Sequence, residues 1–252
     1  MKLTKAEMLI NEVAEQLSTM KVNVPVGERK NISVKKIQVT QDEVIRSMSG
    51  SNGPRAYTPP GEYTALYMND SLWMSDTFSE RMDHLWFIRK CISNEYKSVI
   101  VTGLGLGMVI HGLVRLAPTV ERITVVEKNV DVLNLLSQHY AEMCFNAGIE
   151  IEFIRADAWV AGGGIQQHDA AWHDIWPTID EDNLTEFAEI KDLYSSCVEH
   201  YQECWGEKQL RDPALYMIML NEFAKVMNAN SNVLDSVVSD SADTNSTKKD
   251  GK

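Results

Sequence analysis

From residue 98 to residue 174, short continuous apolar runs alternate with longer stretches of helical period. Val99-Ile-Val, Ile123-Thr-Val-Val, Ile151-Glu-Phe-Ile and Ala170-Ala-Trp are too short for helices and too uniformly apolar for a half-exposed sheet. They predict strands over 98–102, 122–127, 150–154 and 169–174, with helices over 107–116 and 130–146 between them. Strands that alternate with helices in this way make a parallel sheet covered on both faces.

The pattern upstream is different. Leu3, Met8, Leu9, Val13 and Leu17 fall on one helical face, predicting a helix over 3–20. Residues 31–40 alternate and predict a strand. Thr40-Gln-Asp-Glu is a capping box, so a short helix should follow through Met48. The Gly, Ser and Pro content of 49–61 predicts a loop. Tyr63–Met68 and Ser71–Met74, joined by Asn69-Asp70, predict a hairpin. Phe78, Met82, Leu85, Trp86 and Ile88 predict a helix over 77–94. After Asp174 the strand signal stops. Two helices are predicted over 182–205 and 212–228, the second carrying Leu215, Ile218, Met219, Leu220 and Phe223.

The fold class is therefore α/β: a Rossmann-like parallel sheet, truncated after its fourth strand. It divides into an N-terminal helix and β-hairpin extension (1–95), a cofactor-binding core (96–180), C-terminal helices (181–228) and a tail (229–252). The tail is rich in Ser, Asn, Asp and Lys and reads as disordered. The C-terminal helices suit covering a sheet edge or packing a partner subunit, which makes a homo-oligomer one expectation.

Composition narrows the function class. The net charge of −12 argues against a nucleic-acid substrate. The closest approach to a basic stripe is Arg29-Lys30 with Lys35-Lys36, which reads as an exposed strand edge. No apolar run is long enough to span a membrane. The first residues lack the apolar block and cleavage site of a signal peptide, so a cytoplasmic protein is expected. The 4 cysteines are scattered, with no CxxC pair. They read as reduced, packed thiols, and no metal site is expected.

The candidate chemistry collects at strand ends. Gly103, Gly105 and Gly107 follow the first strand of the alternating region and let backbone turn tightly beside a ligand at a helix N-terminus. The spacing is GxGxG, with Met108 where a dinucleotide-binding GxGxxG turn needs glycine. Glu127 ends the next strand, where a carboxylate can accept both hydroxyls of a ribose. Asp157 follows the third strand and can accept from an adenine amino group while the backbone N–H of Ala158 donates to the ring. Asp174 ends the fourth, where it can act as a base or orient an acceptor. Trp176, Tyr63 and His173 are candidates to line a small-molecule substrate pocket. His84, His111, His139 and His200 read as surface or packing residues.

With these elements in order, segment 97–177 resembles the class I S-adenosylmethionine-dependent methyltransferases. Val101-Thr-Gly-Leu-Gly-Leu-Gly, Val126-Glu127, Ala156-Asp157-Ala158 and Asp169 through Asp174 carry the likeness. It implies S-adenosyl-L-methionine as cofactor and methyl transfer to a small-molecule or protein acceptor. Leu66 through Thr77 and Arg81-Met-Asp83-His84 are similar to the hairpin and helix that precede this fold in spermidine synthases. That branch carries acids where Leu106 and Pro177 stand here, so aminopropyl transfer is the alternative and not the leading expectation. A non-catalytic binding or assembly protein on the same scaffold is the third.

Overall fold

The computed structural model describes residues 5–40 and 58–218. The short helix expected through Met48, most of the predicted 49–61 loop, the end of the last predicted helix and the tail lie outside the described residues.

The N-terminal part is larger than a helix and a hairpin. Helix α1 (Lys5–Thr19) is followed by an antiparallel sheet in the order β1-β2-β3-β4, formed by β1 (Gly27–Arg29), β2 (Ile32–Val39), β3 (Gly61–Met68) and β4 (Ser71–Ser75). The predicted strand over 31–40 pairs with β3 over 32–39, whereas β1 covers only 32–34, so Lys35 and Lys36 lie beyond β1 and are exposed, as the sequence suggested. Those lysines are accommodated locally: Lys35 lies over the Tyr67 ring and Lys36 Nζ donates to Thr64 Oγ1 at 2.9 Å. Buried Asp76 ties the sheet to the preceding chain, accepting from the backbone N–H groups of Thr64 (2.6 Å) and Val22 (3.1 Å).

Helix α2 (Phe78–Ser93) leads into the second sheet. Its strands are β5 (Ser98–Thr102), β6 (Arg122–Glu127), β7 (Glu150–Arg155), β8 (His168–His173) and β9 (Val198–Cys204), all parallel, in the order β7-β6-β5-β8-β9. Helices α3 (Met108–Leu116), α4 (Val130–Ala147), α5 (Ala158–Ala161), α6 (Asn183–Tyr194) and α7 (Glu207–Arg211), with a 3-10 turn at Gly162–Gly164, complete the described elements, and 213–218 are also helical. The chain winds outward from β5 to β7, then crosses back to place β8 on the other side of β5. The point of reversal, between the carboxyl ends of β5 and β8, is where open α/β sheets bind ligands.

Strand β9 corrects the helix expected over 182–205, which ends at Tyr194. Its helical reading came from polar residues that tertiary partners satisfy. Glu203 is buried and accepts from the Tyr201 hydroxyl at 2.7 Å and from Lys208, while Gln202 reaches His173. The sheet therefore has one strand more than expected.

A single apolar cluster joins Val13, Leu17, Ile32, Val34 and Leu66 of the N-terminal part to Val99, Leu113, Ile123 and Leu136 of the parallel sheet and its helices. A second cluster, with Ile100, Val126, Phe187, Ile190 and Tyr194, fills the opposite face under α6. The 4 cysteines are buried, free thiols, and burial pushes Cys91 up to about 12. No helix among the described residues is long and apolar enough to cross a membrane.

Candidate functional site

Register brings the strand ends to one edge. Thr102 pairs with Val126 and with His173, and Glu127 with Arg155, so the chain leaves β5, β6, β7 and β8 at the same level. A cavity of 1030 Å³ opens there. Of the residues named from sequence, Gly103, Gly105, Glu127, Asp157, Ala158, Asp174 and Trp176 line it.

The glycine turn is locked between its neighbours. Gly103 N donates to Val126 O at 2.8 Å and Asp174 N donates to Thr102 O at 2.8 Å, so the turn and the residue after β8 are stitched back to back. Gly103 has φ +86°, and a Cβ there would stand 1.9 Å from the Asp174 carbonyl oxygen. A Cβ on Gly105 would meet the Met74 sulfur, which also accepts from Leu106 N at 3.1 Å. Strand β4 thus lies directly over the turn. Gly107 serves packing: it begins α3 in the left-handed region, with the Tyr140 ring 2.1 Å from where a Cβ would be. It is not a wall of the large cavity.

Glu127 is 9% exposed. One carboxylate oxygen accepts from Leu104 N at 2.8 Å and the other from Asn129 N at 2.6 Å. Burial raises its pKa, and these backbone donors with Lys128 only partly oppose that. Each oxygen retains a further lone pair for a hydroxyl. Asp157 caps α5, accepting from Trp159 N at 3.1 Å. Trp176 meets Phe187 edge-on at 4.6 Å and Trp159 at 6.5 Å, and its indole N–H donates to Glu186.

The packing places His84, which sequence reading had set aside, against Asp174. His84 Nδ1 lies 2.5 Å from the Glu80 carbonyl oxygen and Nε2 lies 3.1 Å from Asp174 Oδ2. A carbonyl cannot donate, so Nδ1 carries a hydrogen. A second proton must then lie between Nε2 and the carboxylate. Burial works against the imidazolium. The hydrogen bond and charge of Asp174, with help from Glu80 O and Asp83, outweigh it, and the His84 pKa is raised. The Trp172 ring, 5.3 Å away, holds the imidazole in place. The only local signal for His84 was its position on the predicted helix after the hairpin.

Two expected pocket residues are elsewhere. His173 is fully buried between Thr102 Oγ1 (3.0 Å) and Gln202 Oε1 (3.0 Å), edge-on to Tyr194, and burial pulls its pKa down to about 4. It is on the α6 side of β8 because successive side chains alternate and Trp172 takes the α2 side. Tyr63 is buried beneath Lys21 and donates its hydroxyl to Pro59 O at 2.8 Å. Neither lines the cavity.

Glu80 does line it. Burial pushes its carboxyl up to about 7, against hydrogen bonds from the Ser75 N–H and hydroxyl. The ordinary value of 4.5 holds in the unfolded chain, so the native state binds this proton more tightly. The stability this confers is complete below about 4.5 and is lost as pH rises through about 7. Glu80→Gln is expected to flatten the fall in urea midpoint between pH 5 and pH 8, by about 2 kcal/mol at the alkaline end. An unaltered slope would refute the assignment.

At the opposite edge of the sheet, Asp169, Glu199 and His200 bring ligand-type atoms within 4.8 Å of one another. Asp169 Oδ2 is engaged by Lys97 N, Ser98 N and Ser98 Oγ, which fastens the start of β5 to β8.

No family model and no curated protein sequence matches the chain. Solved structures do. A methyltransferase from Geobacter sulfurreducens is 14% identical, with 50% of this chain and 63% of that one aligned at a TM-score of 0.38. The methyltransferase domain of bacterial CtHen1-CN is 20% identical over 44% of this chain and 58% of its own, at 0.36. TrmN from Thermus thermophilus is 13% identical over 59% and 48%, at 0.37. The chain thus spans 48–63% of these proteins' lengths, and likeness at this level carries no argument about activity.

Proposed function

We propose that the chain binds S-adenosylmethionine at the carboxyl edge of the parallel sheet and transfers its methyl group to a small-molecule or protein acceptor. One observation carries the reading. Glu127, at the tip of β6, faces the same cavity as the glycine turn after β5, at the point where the strand order reverses.

The residues present fit the cofactor. Gly103 and Gly105 present bare backbone to the cavity, where a Cβ would collide with the Asp174 carbonyl or the Met74 sulfur. Glu127 offers a carboxylate braced by two backbone donors to ribose hydroxyls. Asp157 and the N–H of Ala158 suit an adenine edge. The flexible Met74 side chain over the turn can move aside. The cofactor, when bound, supplies a methyl carbon already activated by its sulfonium. The protein's share is to orient the acceptor and exclude water, and positioning of that kind can contribute several kcal/mol. Asp174 would accept the acceptor's proton or a hydrogen bond from it, and His84 would position Asp174.

Calorimetry tests the reading. Glu127→Gln removes a charged acceptor from the ribose position, and the loss expected is about 2–3 kcal/mol of binding free energy, or roughly thirty- to two-hundredfold in Kd. Unchanged affinity, or no heat from the wild-type protein at millimolar cofactor, would refute cofactor binding here. A preference for decarboxylated over intact cofactor would favour aminopropyl transfer instead.

A further inference from the structure

The cavity is larger than one nucleoside requires. Its 1030 Å³ is at the upper end of the ~300–1,000 Å³ typical of ligand pockets. One wall is made by Gly103, Gly105, Glu127 and Asp157. The other comes from the hairpin, α2 and the segments after β8 and β9, and its chemistry is distinct. Met68, Trp73, Trp176 and Trp205 present apolar and aromatic surface, with Glu80 and Asp174 among them. On the lip, Leu72 is 55% and Trp73 45% exposed, although both belong to a strand. Adjacent exposed apolar side chains at the mouth of a pocket mark a place where something apolar is received.

We propose, building on the methyl-transfer reading, that this second wall receives a planar, uncharged aromatic acceptor bearing one hydroxyl or amine. Tryptophan faces favour planar rings, and methionine adapts to their outline. Asp174 is the more exposed partner of its pair with His84 (side chains 20% and 2% exposed), so an entering anion meets a carboxylate oxygen. The charge of Asp174 is already answered by His84, and Glu80 holds its proton up to near neutrality, so a buried ammonium would lack a full counter-charge. Asp174 keeps a side chain that is 20% exposed, and its carboxylate can accept a hydrogen bond from a hydroxyl or amine on the ring.

Three probes with one ring system separate these requirements: 2-naphthol, 2-naphthoate and 2-methoxynaphthalene. Titrated calorimetrically into the full chain, 2-naphthol is expected to bind about tenfold more tightly than the anion, which meets the Asp174 carboxylate, and than the ether, which cannot donate. Trp73→Ala, at a position 45% exposed, should weaken 2-naphthol roughly fivefold. Equal affinity for the three probes, tighter binding of 2-naphthoate, no binding of 2-naphthol, or indifference to Trp73→Ala would each overturn the proposal. S-adenosylmethionine is titrated separately. Cofactor binding without 2-naphthol binding refutes the acceptor class alone. Binding of 2-naphthol without cofactor binding refutes methyl transfer and leaves the aromatic site standing.

Discussion

Gly103→Ala is expected to cost the protein about 4 kcal/mol or more of stability and to abolish ligand binding at the strand edge. Two penalties act together. The residue sits at φ +86°, a conformation that alanine adopts only with strain. The added methyl would also stand 1.9 Å from the Asp174 carbonyl oxygen. That oxygen is backbone, and its residue is tied by its N–H to Thr102 O, so it cannot swing away as a side chain would. Relief requires β5 and the end of β8 to part, which opens the central pairing of the sheet. Gly105→Ala supplies the contrast. Its obstacle is the Met74 sulfur, the flexible end of a side chain, so a smaller loss of stability is expected although φ is again positive. Urea denaturation of both variants checks this. Comparable midpoints would show that the back-to-back arrangement of the two turns is wrong.

Asp174→Ala is expected to remove about 3 kcal/mol, because it strips a buried imidazole of its partner. His84 is 2% exposed and its other nitrogen is committed to the Glu80 carbonyl. Without the carboxylate, burial dominates and the His84 pKa should fall below its ordinary 6.5. In the wild type the raised value means that the pair's contribution is complete below 6.5 and is lost as pH rises through the native pKa of His84. Asp174→Asn distinguishes charge from contact. An amide N–H can donate to the bare Nε2, so stability above neutral pH should survive while the extra stability at acid pH disappears. Histidine titration by NMR, with urea midpoints across the pH range, measures both. A His84 pKa that is the same in all three proteins would end the argument. Under the methyl-transfer reading, both variants also lose turnover, since the acceptor's hydrogen-bond partner is gone or altered.

The parallel sheet was legible because its evidence is local. Val99-Ile-Val and Ile123-Thr-Val-Val are short apolar runs, and the glycines after the first and the acid after the second are within a few residues of them. Strand β9 was not legible: Gln202 and Glu203 are polar, and His173, Lys191, Tyr201 and Lys208 supply their partners.

By itself, then, the sequence determined the parallel alternation of β5 to β8 with helices and which backbone and carboxylate groups end at strand tips, because period, turn chemistry and strand length act over about ten residues. It could not decide which of those tips share a cavity with which side chains. His84 and Asp174 are 90 positions apart and meet only because α2 packs across β8. The same packing sends His173 to the other face of the sheet, keeps Tyr63 away from the cavity, and sets Met74 over the glycine turn. These contacts depend on how layers stack, and no property of the residues themselves announces them.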